Sequence, residues 1–259
     1  MPSQLAAARS GFAAFVLAAL IAAAAIAGVR LGVLAYVDGY RLMILAVAAG
    51  LVALALGGLW TARALKRNDG SGRRLGLTAF IGALLLLYPP AANTIRRLNT
   101  PALYDVTTDT DDPPHFVELL KQRGAGANAP AFDGARQIAY DGEMHTVSYV
   151  LHDHYFNQLR PAAGFVPGAA DPGAVYFWRD FEAVKKTGWT IVAFNDKTRR
   201  IEATTASFWF GRISDIVVEA RASGRGARTV IRSQSRYDQI DDGANGDHVK
   251  LFLEKRRAR

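Results

Sequence analysis

The densest run of residues able to do chemistry is Arg232, Ser233, Ser235, Arg236, Asp238, Asp241, Asp242 and Asn245, close to the end of a 259-residue sequence. Read as a strand that turns into a helix, it places Arg232 and Arg236 on one side and Ser233 and Ser235 on the other, since strand side chains alternate. Two guanidinium groups converging with helix N–H groups are the parts of a phosphate or carboxylate site. The same residues are also the parts of a salt-bridge and capping network that fixes the following helix, with Asp242 or Asn245 as its cap. The interleaved aspartates argue for internal neutralisation, so the expectation is a structural network, with an anion site as the alternative. Arg212 and Asp215, at the start of the preceding strand, join it only if the register brings them close.

Two other clusters invite a metal reading. Asp109, Asp111 and Asp112 are oxygen ligands in type, but a calcium loop alternates its ligands and ends on a bidentate Glu, whereas two prolines follow here. Helix capping is the expected role. His152 and His154 flank Asp153 and share one face of an extended segment; two imidazoles begin a zinc site only if two further ligands come from elsewhere. A polar loop or strand face is expected instead. Ser233 lacks the Gly-x-Ser-x-Gly turn of a nucleophile elbow, and local sequence sets no histidine beside it. No cysteine occurs, which removes thiol catalysis and cysteine-ligated metals. No dinucleotide or nucleoside-triphosphate loop is present, and no cofactor is read from the sequence.

The elements that must position these residues follow from periodicity. Asp112, Pro113 and the apolar Phe116, Leu119 and Leu120 predict a short capped helix stopping near Gly124. A loop over 124–137, a short strand over Thr146–Leu151 and a second loop over Ala162–Gly173 come next. Phe177, Phe181 and Val184 then fall on one face of a helix ending at Gly188. From Trp189 the period becomes two. Strands Trp189–Phe194, Arg200–Phe210, Ile213–Arg221 and Arg228–Ser235, joined by short turns, predict an antiparallel meander with one face covered. Phe208, Trp209 and Phe210 would place rings on both faces of it. A helix over about Ala244–Arg257 closes the domain and presents Val249, Phe252 and Leu253 to the sheet. The class is α+β.

The first 92 residues have a different character. Ser10–Val29, Leu42–Ala62 and Leu75–Ala92 are uncharged, apolar and close to the ~20 residues that a helix needs to cross a bilayer. The alanine-rich first stretch predicts packing against a neighbouring helix; its length exceeds a signal-peptide core, so retention is expected. Pro89 and Pro90 are expected to end the third helix. The expected organisation is three transmembrane helices in 1–92 and one extracytoplasmic α+β domain in 93–259.

Charge follows that division. Residues 1–92 hold eight Lys+Arg against two Asp, and residues 93–259 hold 23 against 21 acids. The basic excess therefore belongs to the membrane flanks, and a nucleic-acid partner loses its support. Arg63, Lys66, Arg67, Arg73 and Arg74 crowd the second loop, which the positive-inside rule makes cytoplasmic. The N-terminus is then cytoplasmic and the C-terminal domain periplasmic, in a bacterial inner membrane.

Three stretches, Asp105-Val-Thr-Thr-Asp109 with Asp112-Pro-Pro114, Arg200-Ile-Glu-Ala-Thr204 with Phe208-Trp-Phe-Gly211 and Asp215, and Ile231-Arg-Ser233 through Asn245, occur in an order and spacing that resemble the domain-of-unknown-function 1499 family of bacterial and plastid proteins. The chain departs from that pattern at Tyr237-Asp238 and in His152–Pro161. The resemblance implies domain limits and no activity. With neutral charge, no catalytic motif and an aromatic run, the expected role is a non-enzymatic binding or assembly module of the cell envelope, whose partners are the lipid bilayer and an envelope protein or lipid. The alternative is a hydrolase or transferase that grips an anionic envelope substrate through Arg232 and Arg236.

Overall fold

The computed structural model describes residues 2–155, 159 and 162–258. By their internal contacts these form two compact units, one made of the helices up to Ile95 together with Phe208–Gly211, the other of the remainder from Arg96 onward.

Small residues decide how the first unit packs. Helices α1 (Pro2–Arg30), α2 (Tyr36–Lys66) and α3 (Gly70–Leu98) are each long and apolar enough to span a membrane. Their buried positions include Ala18, Ala22 and Ala25 on α1, Ala46, Gly50, Ala53 and Gly57 on α2, and Gly76, Ala79 and Ala83 on α3. Leu17, Leu20, Leu51 and Leu85 face outward. This inversion of soluble packing is expected where lipid is as apolar as leucine and only close backbone approach distinguishes a helix neighbour. Between α2 and α3 a Cβ on Gly57 would lie 2.7 Å from the Phe80 backbone nitrogen, and one on Gly76 2.6 Å from Thr61 Oγ1. The third helix does not stop at its prolines; Pro89 and Pro90 lie inside it. Proline's fixed φ is compatible with a helix, and the two rings in tandem remove two donors from its ladder.

The second unit is built on an antiparallel sheet. Strands β1 (Asp105–Thr107), β2 (Gln137–Tyr140) and β3 (Glu143–Thr146), helix α4 (Val147–Tyr155), β4 (Ala163–Phe165), α5 (Pro172–Lys185), β5 (Thr190–Asn195), β6 (Arg200–Ala206), β7 (Ile213–Ser223), β8 (Gly226–Ser235) and α6 (Ala244–Arg257) follow in that order. The main sheet runs β1-β8-β7-β6-β5, with β4 also on β8. The expected meander is present, and β1 and β4 extend it along the far edge of β8.

One face carries the apolar core. Ile201, Ile216, Val218 and Ile231 point to it and meet Phe177 and Val184 of α5, Val249, Phe252 and Leu253 of α6 and Val150 and Leu151 of α4. The other face is also covered, which the meander reading did not anticipate. Its cover is the irregular chain before β2, whose Phe116 and Leu119 form a small apolar cluster with Val217 of β7.

Three local expectations are corrected. The capped helix after Asp112 is absent: Leu119–Gln122 forms a single 3-10 turn, because amides that would start a helix are bound by a sheet carboxylate. Thr146–Leu151 is not a strand, since Val147, Val150, Leu151 and Tyr155 recur at helical spacing and bury one face of α4. It follows a hairpin, β2–β3, whose Asp141-Gly142 turn has positive φ at both residues, as a two-residue hairpin turn requires. Finally, β6 ends at Ala206. The Ser207 amide donates to the Arg212 carbonyl at 2.8 Å and the Arg212 amide to Ser207 Oγ at 2.9 Å, so Phe208, Trp209 and Phe210 lie in a turn and not on strand faces.

Candidate functional site

Strand register sets the arginines and serines of β8 on opposite faces, and each face holds a separate network. On the loop-covered face, Arg232 lies across from Val217 and Thr107, while Gln234 lies across from Asp215 and Asp105. Arg232 is fully buried. Its Nε and Nη2 donate to the two oxygens of Asp105 at 2.9 and 2.6 Å, and its remaining N–H groups reach the Pro114 carbonyl at 3.1 Å and the Pro130 carbonyl at 2.9 Å. Gln234 adds a bond to Asp105 at 2.9 Å. Burial pushes the Asp105 carboxyl above its usual range, against the pull of Arg232.

Beside this pair, Asp215 receives Arg123 Nε at 2.9 Å and the guanidinium of Arg236. Arg123 and Arg236 continue to the carbonyls of Asn128 and Gln122. The Phe116 ring lies between two cations, 4.5 Å from the Arg123 guanidinium and 4.9 Å from that of Arg232. Glu202, on the same cross-strand row as Val217 and Arg232, accepts three consecutive amides, Val117 at 3.0 Å, Glu118 at 3.2 Å and Leu119 at 2.8 Å.

On the helix-covered face, Ser233 donates to Asn245 Oδ1 at 2.7 Å. Asn245 Nδ2 in turn donates to Ser235 Oγ at 2.9 Å and to the Tyr104 carbonyl at 3.0 Å. The start of α6 is capped by Asp241, not by the expected Asp242 or Asn245: its carboxylate accepts the Gly243 amide at 2.9 Å and the Asn245 amide at 2.7 Å. Asp242 instead faces Arg212 and Arg97 at 3.6 and 3.7 Å.

His248 Nδ1 stands 3.1 Å from Ser233 Oγ, a neighbour that local sequence did not reveal, since one turn of α6 brings it back over β8. The bond has the wrong polarity for nucleophilic catalysis. The single proton of Ser233 is committed to Asn245, whose two amide hydrogens are both already given away, so His248 donates to the serine.

The clusters read as metal candidates do not assemble a ligand set. Asp109 and Asp112 share the Arg221 guanidinium at 3.4 and 3.0 Å, and Asp109 also meets Arg228 at 2.8 Å. His152 and His154 are two residues apart on α4, hence on different sides of it. Among the described residues no three potential ligands converge. Part of the divergent stretch His152–Pro161 lies outside the described residues.

Burial gives the helix-covered face a pH signature. Asp241 is pushed up to about 6, as is Asp180, on the buried side of α5, which accepts Thr229 and Arg256; His248 is pushed down to about 4. Raised carboxyls contribute stability that is present below pH 3.8 and lost as pH rises through about 6; Asp105 acts in the same sense. Lowered His248 contributes stability that is present above pH 6.5 and lost as pH falls through about 4. The two effects oppose each other between pH 4 and 6. Replacing His248→Gln removes the second, and should make the slope of unfolding free energy more negative by about 1.4 kcal/mol per pH unit in that window. Denaturant midpoints of both proteins across the window check this; parallel curves would mean that His248 is charged in the fold.

No curated protein matches the chain. Residues 105–255 match a family described as proteins of unknown function, DUF1499, and that span begins at Asp105, the partner of Arg232, and takes in Arg123, Glu202, Asp215, Arg236, Asn245 and His248. The match covers more than half of the sequence, and the chain belongs to the DUF1499 family.

Proposed function

We propose that this protein is a non-enzymatic binding or assembly module of the cell envelope, tethered by its three apolar helices. The N-terminus lies in the cytoplasm and the sheet unit in the periplasm of a bacterial inner membrane, as the arginine-rich α2–α3 connection favours. One observation carries the reading. Arg232 and Arg236, the residues best suited to grip an anionic substrate, are buried and already engaged by Asp105 and Asp215. A substrate could use them only by displacing carboxylates from a low-dielectric setting, at a cost that a reversible site would have to recover in every cycle. Ser233, beside His248, is equally buried and donates elsewhere.

The test is native mass spectrometry of the full chain, gently extracted from its own membrane. A co-purifying polypeptide, or a lipid adduct retained at fixed stoichiometry, is the expected result. A bare chain that turns over phosphoester or carboxylic-ester substrates, with the activity lost in Ser233→Ala, would overturn the proposal.

A further inference from the structure

Away from both networks, α5 and the last turn of α6 border an open groove of about 870 Å³, within the size range of small-ligand sites. Its charge is one-sided. Arg179, Lys186, Lys255, Arg256 and Arg257 line it against a single carboxylate, Glu182, and Lys185 holds that carboxylate at 2.9 Å. Trp178, half exposed, offers an apolar wall.

Arg256 supplies the second observation. Only 11 % of its side chain is exposed, its Nε binds Asp180, and its guanidinium lies 4.5 Å over the Tyr176 ring. Its Nη2 is buried without a hydrogen-bond partner. Buried guanidinium nitrogens are ordinarily paired; this one has no accessible surface, so an acceptor in the groove would reach it only by a turn of the Arg256 side chain, which itself lines the groove.

The geometry points to a phosphate-ester site in this groove, with Arg256 and the surrounding cations on the phosphate and Trp178 against the organic part of the ligand. Phosphate fits better than a carboxylate because it offers three oxygens to several cations at once, and arginine presents forked donors to it. This deepens the binding-module reading and rests on it. The ligand is either a soluble phosphate ester or an anionic phospholipid headgroup, which the same cations would recognise.

The experiment uses the full chain in nanodiscs of phosphatidylcholine, titrated with glycerol 3-phosphate, and in parallel nanodiscs with phosphatidylglycerol added, read by native mass spectrometry for retained lipid. Because Arg256→Gln disturbs the Asp180 pair and can impair folding, the informative variant is Lys186→Gln with Arg257→Gln, both outward-facing. Saturable binding of glycerol 3-phosphate, weakened about tenfold in the double variant, identifies a soluble ester. Selective retention of phosphatidylglycerol, lost in the double variant, with no binding of the soluble probe identifies a headgroup. If neither probe binds, or the double variant binds as well as the parent, the groove is not a phosphate site. That failure leaves any polypeptide partner seen on extraction untouched, so the two proposals fall separately.

Discussion

Replacing Arg232→Met is expected to cost the sheet unit about 3–5 kcal/mol, the loss seen when one partner of a buried ion pair is removed and the other is stranded. Methionine fills much of the space but offers no donor. Asp105 would keep Gln234 and lose both guanidinium bonds, in a place where burial already resists its charge. The Pro114 and Pro130 carbonyls would lose the donors that bind them. Unfolding of the full chain in detergent, followed through buried Trp189, measures the loss. The double replacement Asp105→Asn with Arg232→Met should lose less than Arg232→Met alone, since it removes the stranded charge; a single-variant loss below about 1 kcal/mol would show that the pair is not desolvated.

The size of that effect reflects where Arg232 reaches. Asp105 lies on the neighbouring strand β1, Pro114 and Pro130 lie in two separate stretches of the cover, and one side chain from β8 ties both stretches to the sheet. The same face turns outward-facing strand positions, normally solvated in an antiparallel sheet, into an interior without a large apolar cluster.

How much of this could be read in advance depended on whether the signal was local. The three apolar helices, the order β5 to β8 and the limits of α6 follow from periods that repeat within single segments. The separation of Arg232 and Arg236 from Ser233 and Ser235 follows from strand alternation alone, and the register bears it out. What sequence could not supply was the partner across a fold contact. Asp105 lies 127 positions from Arg232 and Arg123 lies 92 from Asp215, and nothing in either neighbourhood marks the match. The Asp112-Pro113-Pro114 run misled because a helix start is a local propensity, whereas here Arg221 takes the Asp112 carboxylate and Glu202 takes the amides downstream. For α4 the signal is present in Val147, Val150 and Leu151, but the helical face is complete only with Tyr155, four residues beyond the short apolar run.

Glu202 carries the second large effect, and its sequence context, between Ile201 and Ala203 in a regular strand, gives no hint of it. Glu202→Ala should lose about 3 kcal/mol, because three consecutive amides inside the cover are left without an acceptor while the sheet beneath them cannot open to water. Glu202→Gln keeps one acceptor oxygen but turns an N–H pair toward other N–H groups, so it should recover only part of the loss. Hydrogen exchange locates the damage. Amide protection should fall first at Val117–Leu119, freeing Phe116 and Leu119 from Val217, while β7 and the α5 side of the core stay protected. Full protection at Val117–Leu119 in Glu202→Ala would mean that other groups hold the cover. Because the Glu202 and Arg232 side chains are themselves buried, raising salt from low to physiological strength should leave both losses nearly unchanged, which separates this mechanism from surface ion pairing.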